Sequence, residues 1–251
     1  MGFLDNAPLG EGADALRARV RKAPPGLEIA AYWQSVAQAT TDPQRRLLSY
    51  MVAALLARGW MLTVDRVMES AAETLGEEPA QVQAELDALV ALDLVTLDGN
   101  KILALAGLLT TRPGALVFKY DTQHEVGLVG PLAALAVGRA LQKTGTVRAT
   151  CGDDRASKLS LDVDKEGVAN REPDCVCMFL PAWNGEASPT AATAGGVLLR
   201  DDEALGRWQE GAGDPDGMPL TSLFFPMAAA DLAGQVGAAL ESVLNHLPDF
   251  D

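Results

Sequence analysis

Cys175-Val176-Cys177 is the sharpest chemical feature of the sequence. On a β-strand, residues two apart project from the same face, so the spacing predicts two sulfurs side by side, with alpha carbons about 6.6 Å apart. That separation is marginal for a disulfide but allows two thiolates to converge on one soft metal ion such as mercury or copper. Cys151, the only other cysteine, closes a predicted strand at Thr146–Cys151 and completes a candidate three-thiol set. Free cysteines are also among the most buried residue types, and Val176, Met178 and Phe179 around the pair fit an interior strand equally well.

Histidine is scarce. His124, in the polar stretch Tyr120-Asp121-Thr122-Gln123-His124-Glu125, is the remaining candidate ligand or general base, against a plain surface role. His246 sits near the C-terminal end, where a cation complements a helix terminus. For proton transfer beside the thiols, the neighbouring acids are Asp174, Asp153 and Asp154. No Gly-x-Ser-x-Gly elbow, phosphate-binding loop or dinucleotide fingerprint is present. Three cysteines also make a poor disulfide framework for a secreted protein. Met1 to Gly10 lack the basic-then-apolar order of a signal peptide, so a cytoplasmic protein is expected.

The elements that must position these residues begin with helices. Leu47, Leu48, Met51, Val52, Leu55 and Leu56 recur at helical spacing after Asp42-Pro43, and Gly59 is placed to end that helix. Val64 to Leu75 forms a second amphipathic helix closed by Gly76. Pro79 opens a third, with Val82, Leu86, Leu89 and Val90 as its apolar face. The period then shortens to two: Leu94–Leu97, a turn at Asp98-Gly99-Asn100, and Ile102–Leu105 predict a hairpin.

Three helices and a hairpin are the order of a winged helix-turn-helix, so a transcriptional regulator has to be weighed. Electrostatics argue against it. The chain of 251 residues carries 34 Asp and Glu against 20 Lys and Arg, a formal charge of −14. Residues 67–100, where a DNA reader needs cations, hold eight acids and no Lys or Arg. Neither nucleic acid nor an anionic membrane is expected as a partner. Downstream, Leu116–Tyr120, Lys158–Val163, Asp174–Leu180 and Val197–Leu199 read as strands. Pro131–Lys143, Asp201–Glu210 and Ala228–Leu247 read as helices, and Pro181–Gly196 as a loop.

This order, with Leu94–Ile102, Gly107-Leu108, Arg112-Pro113, Ala140-Leu141, Val147–Cys151, Leu159–Val163, Gly167-Val168 and Ala204–Trp208, resembles the alkylmercury (organomercurial) lyases from about residue 45 to about 245. The resemblance implies an α+β fold: a winged-helix-like helical module followed by a mixed β-sheet domain with flanking helices. It also implies protonolysis of a carbon–mercury bond, with two cysteine thiolates holding the metal and an aspartate handling the proton. Aligned on Cys151 and Trp208, the family's first catalytic cysteine and its aspartate fall near Val129 and Leu132. Its second catalytic cysteine falls near Thr193 or Ala194. None of these positions carries the family residue, and Cys151 matches a family cysteine of structural role.

The expectations are therefore an extension over residues 1–25, a winged-helix-like domain over 26–110 and an α+β domain over 111–251. A diverged lyase-like protein would bind a soft metal through Cys151, Cys175, Cys177 and His124, or act on a substrate other than the usual one. The alternative is a non-catalytic module that binds a small molecule or a protein on the same fold.

Overall fold

A computed structural model describes residues 28–58, 63–112, 114–183, 188–213 and 215–247. The extension over 1–25 and the helix-ending role of Gly59 lie outside these residues. Four helices open the described chain: α1 (Glu28–Ala39), α2 (Asp42–Arg58), α3 (Val64–Leu75) and α4 (Pro79–Ala91). Gly76 ends α3 at φ +66°, the left-handed conformation that glycine adopts without a Cβ penalty. Pro79 occupies the first turn of α4, where its missing N–H costs nothing. Val82, Leu86 and Leu89 of α4 are buried, each burial worth about 1.5–3 kcal/mol. Val90 is 36% exposed and leaves that face, because it lies one residue round the helix from Leu89. The Tyr32 hydroxyl of α1 donates to the Leu92 carbonyl at 2.9 Å, tying α1 to the end of α4.

The expected hairpin is β1 (Val95–Asp98) and β2 (Lys101–Leu105), but it does not stand alone as a wing. It forms one edge of an eight-stranded sheet in the order β1-β2-β3-β5-β4-β6-β7-β8. The other strands are β3 (Leu109–Thr110), β4 (Leu116–Lys119), β5 (Glu125–Leu128), β6 (Gly145–Thr150), β7 (Lys158–Asp164) and β8 (Gly167–Glu172). A second sheet, β10-β9-β11, joins β9 (Cys177–Pro181), β10 (Val197–Leu199) and β11 (Gly217–Leu220). The α+β class holds. The mixed sheet expected from the sequence resolves into strand pairs that are all antiparallel, most neighbours in space being joined by turns rather than crossover helices.

Helix α5 (Pro131–Leu141) runs through the middle of the molecule, and every one of its residues except Arg139 is buried. Its run of Ala and Leu gives both high helix propensity and an apolar surface all round, as an interior helix requires. Pro131 starts it, and Gln142 in the left-handed region ends it. Three further helical pieces follow: α6 (Pro189–Ala194), within the expected loop, α7 (Asp202–Gly211), and a C-terminal run from Phe225 to Val243. The expected single terminal helix is α8 (Phe225–Leu232) and α9 (Ala238–Val243) joined by a π-helical segment, Ala233–Gly237. Asp201 caps α7 by accepting the Ala204 N–H at 2.7 Å. His246 does not serve the end of its own helix: its Nε2 lies 2.9 Å from Asp42 at the start of α2. Among the described residues no helix is long and apolar enough to cross a membrane.

Candidate functional site

The expected thiol geometry changes at Cys175. Strand β9 starts only at Cys177, so Cys175 sits in the preceding turn and the alternation rule does not relate the two side chains. Their sulfurs nonetheless face one stretch of backbone: Cys175 donates to the Arg200 carbonyl and Cys177 to the Asp201 carbonyl, each at 3.1 Å. Burial, reinforced by the carboxylates of Asp202 and Asp201, pushes the Cys177 thiol up to about 12. A protonated thiol that donates to a carbonyl is the opposite of an activated thiolate.

Cys151 is fully buried just after β6. His124 is occupied elsewhere: its Nδ1 lies 2.7 Å from Asp121 and its ring stacks on Tyr120, with centroids 6.1 Å apart. Among the described residues no three His, Cys, Asp or Glu side chains are grouped to hold a metal ion. The set Cys151, Cys175, Cys177 and His124 is therefore not a preassembled centre. Asp153 and Asp154 are bound to Arg207 and Arg200.

What the fold does assemble is a cavity of about 560 Å³ where the two sheets meet, within the usual size range for small-molecule sites. The large sheet contributes the start of β4 at Gly114–Leu116, the end of β5 at Leu128 and Val129, and the end of β6 at Thr150–Gly152. Pro131 brings the first turn of α5 to the wall. The opposite side is Ala194–Leu198, between α6 and β10, and Trp208 of α7. The Gly152 N–H donates to the Leu198 carbonyl at 2.9 Å, fastening the two sides together.

Gly130 is required at the narrowest point. A Cβ there would overlap the Thr193 carbonyl oxygen and lie 2.8 Å from the Ala194 Cα. This close approach brings the two sides of the cavity together beside Val129 and Ala194, so two positions that the sequence resemblance equates with the lyases' thiols line one cavity here as apolar side chains. Leu132, at the aspartate position, is buried as the second residue of α5.

The loop after β6 supplies a residue that sequence reasoning missed. Arg155 lines the cavity and, among the described residues, is its only Asp, Glu, Lys, Arg or His. Its backbone has φ +54°, an uncommon conformation for a side-chain-bearing residue. Asp154 holds it there by accepting the Ala156 and Ser157 N–H groups, both at 2.9 Å, and the Ser157 hydroxyl at 2.6 Å. These bonds keep the Asp154 carboxyl down at about 2. No described residue pairs with the Arg155 guanidinium.

The same architecture is found in a solved structure. The crystal structure of the mercury-bound form of MerB2 superposes with a TM-score of 0.63 over 84% of this chain and 98% of that one, at 15% identity. The alkylmercury-lyase-like fold expected from the sequence is thus present. No protein-family profile matches the chain. No curated protein matches it by sequence.

Proposed function

We propose that this protein binds a small organic molecule in the cavity between its two sheets and does not cleave carbon–mercury bonds. The observation that carries this reading is the cavity itself: about 560 Å³, walled by Leu116, Leu128, Val129, Val197, Leu198 and Trp208. These apolar side chains alternate with backbone at Gly114, Gly152, Gly195 and Gly196 and with Thr150 and Arg155, and apolar contacts combined with placed polar groups are what a small-molecule site needs. Metal capture by the family's route needs two thiolates facing one another, and Val129 and Ala194 supply neither. The partner is a small molecule rather than nucleic acid, in keeping with the acidic surface.

A neutral solvatochromic dye, Nile red, tests the reading. Gly114 lines the cavity at its exposed rim, and a Cβ built on it meets nothing within 4 Å, so Gly114→Trp sets a large ring at the rim, to obstruct entry, without a clash at its root. Saturable one-to-one binding by the wild type and its loss in Gly114→Trp are expected, with unchanged circular dichroism. Equal binding by both proteins, no saturable binding at all, or release of benzene from phenylmercury by the wild type would overturn the proposal.

A further inference from the structure

We infer that the cavity selects a monoanion, an organic carboxylate carried on an apolar body, with Arg155 as its counter-charge; this deepens the binding reading above and rests on it. The chain is acidic overall, yet among the described residues Arg155 is the sole charged side chain lining this space. The two residues before it, Asp153 and Asp154, are both acids, but each is engaged by an arginine from beyond β10. Arg207 Nη2 lies 2.7 Å from Asp153, and Arg200 Nη1 lies 3.3 Å from Asp154. The loop therefore arrives at the cavity with its acids paired and its cation unpaired.

A left-handed backbone at a residue other than glycine, asparagine or aspartate costs free energy, and such outliers concentrate at ligand sites. The conformation holds Arg155 at the cavity, fixed by the Asp154 bonds. Helix α5 adds to the same preference. Its first turn borders the cavity at Pro131, and its N-cap is Gly130, which has no side chain to cap the first N–H groups. The positive end of an eleven-residue helix thus lies beside the same space.

The charge and the apolar side chains of the lining together narrow the class. A planar guanidinium matches a carboxylate in a two-bond fork. The side chains of Leu116, Leu128, Val129, Val197, Leu198 and Trp208 offer contacts to a hydrocarbon or aryl body. A phosphate dianion would bring a second charge with no second cation, into a protein whose formal charge is −14.

Calorimetric titration with benzoate, benzamide and inorganic phosphate tests the inference on the wild type, Arg155→Gln, Arg155→Lys and Gly114→Trp. Benzoate is expected to bind the wild type at least about tenfold more tightly than its neutral amide, a charge-assisted bond being the difference. Raising the ionic strength from about 0.01 M to 1 M should erode that preference, because the guanidinium is solvent-accessible. Arg155→Gln should bind both molecules alike, and Arg155→Lys should keep a preference for the acid. Gly114→Trp should bind neither, and phosphate should not displace benzoate.

Benzamide bound as tightly as benzoate, an Arg155→Gln variant that keeps the preference, or displacement of benzoate by equimolar phosphate would overturn the inference. In those cases, Nile red binding that is lost in Gly114→Trp would leave the cavity reading standing. If no probe binds the wild type, both proposals fall together.

Discussion

The Asp93 carboxylate accepts the Thr190 backbone N–H at 2.8 Å, and the Thr190 hydroxyl donates back to the Asp93 carbonyl at 3.2 Å. Both residues are buried, although 97 positions separate them. The exchange fixes the start of α6 to the turn after α4, and α6 leads directly into the cavity wall at Ala194–Gly196. Asp93, like Glu77 with its Arg46 partner, is held inside rather than on a charged surface.

Replacing Asp93 with alanine removes a charged acceptor from a buried donor. Such losses cost about 2 kcal/mol, and the left-handed backbone at Asp93, φ +59°, suits alanine less well than aspartate. Urea unfolding of Asp93→Ala is expected to show that loss. Asn at the same site, which keeps an acceptor and tolerates the conformation, should retain part of it. A variant within about 0.5 kcal/mol of the wild type would mean that the clamp contributes nothing beyond an ordinary surface contact.

Gly130→Ala tests the close approach of α5 to α6. The added methyl meets backbone atoms of Thr193 and Ala194, which cannot rotate out of the way as a side-chain tip can. Overpacking of this kind costs about 1–3 kcal/mol. A lowered Tm with weakened Nile red binding is expected, whereas Gly114→Trp, with open space at its root, should lose binding with little change in Tm. Equal thermal stability of Gly130→Ala and the wild type would contradict the packing described here.

The parts of this molecule that sequence patterning reveals are those whose partners are local. Val82, Leu86 and Leu89 repeat on one face, and Gly76 and Pro79 punctuate the helices on either side, so α3 and α4 are legible. Strand β5 is not, because only four residues, Glu125–Leu128, follow a polar turn and they give almost no alternation to read. Strand β11 contains Pro219, which argues against a strand, yet β11 pairs only with β9 and its other edge has no ladder bond to lose. The cavity was not legible, because its lining is drawn from segments as far apart as Gly114 and Trp208. Arg155 was not legible at all. In sequence it is one cation after two acids, and the arginines that neutralise those acids lie 46 and 54 positions away from them. The strand that carries Cys177 starts three residues later than the expected Asp174, so the alternation rule does not reach Cys175.

Cys177 should make stability fall at high pH. Its thiol ionises at about 12 in the folded protein, above the ordinary value of 9.0. Between those values the unfolded chain has lost a proton that the folded chain keeps, so unfolding is favoured progressively as pH rises. The difference in unfolding free energy between wild type and Cys177→Ala is expected to shrink from pH 9 to pH 12. Consistent with this, a disulfide reagent at pH 8 should modify Cys177 only after denaturation, with the half-buried Cys175 modified first. Rapid labelling of native Cys177 would show instead a thiolate poised for metal or substrate.

Asp154 links acid titration to the loop that presents Arg155. Its carboxyl is held at about 2, against an ordinary 3.8, first by the Ser157 hydroxyl and then by the Ser157 and Ala156 N–H groups. A depressed folded value means that its contribution is complete above 3.8 and is lost as pH falls through about 2. Asp154→Ala should remove that contribution at neutral pH, leaving the Ala156 and Ser157 amides without their acceptor. Hydrogen exchange at those two amides is expected to accelerate while the strand amides of β6 and β7 stay protected. Because Arg155 itself is intact in this variant, a parallel loss of preference for benzoate over benzamide would trace to the position of the guanidinium and not to its charge. Unchanged exchange at Ala156 and Ser157 would show that the loop holds its left-handed turn without Asp154.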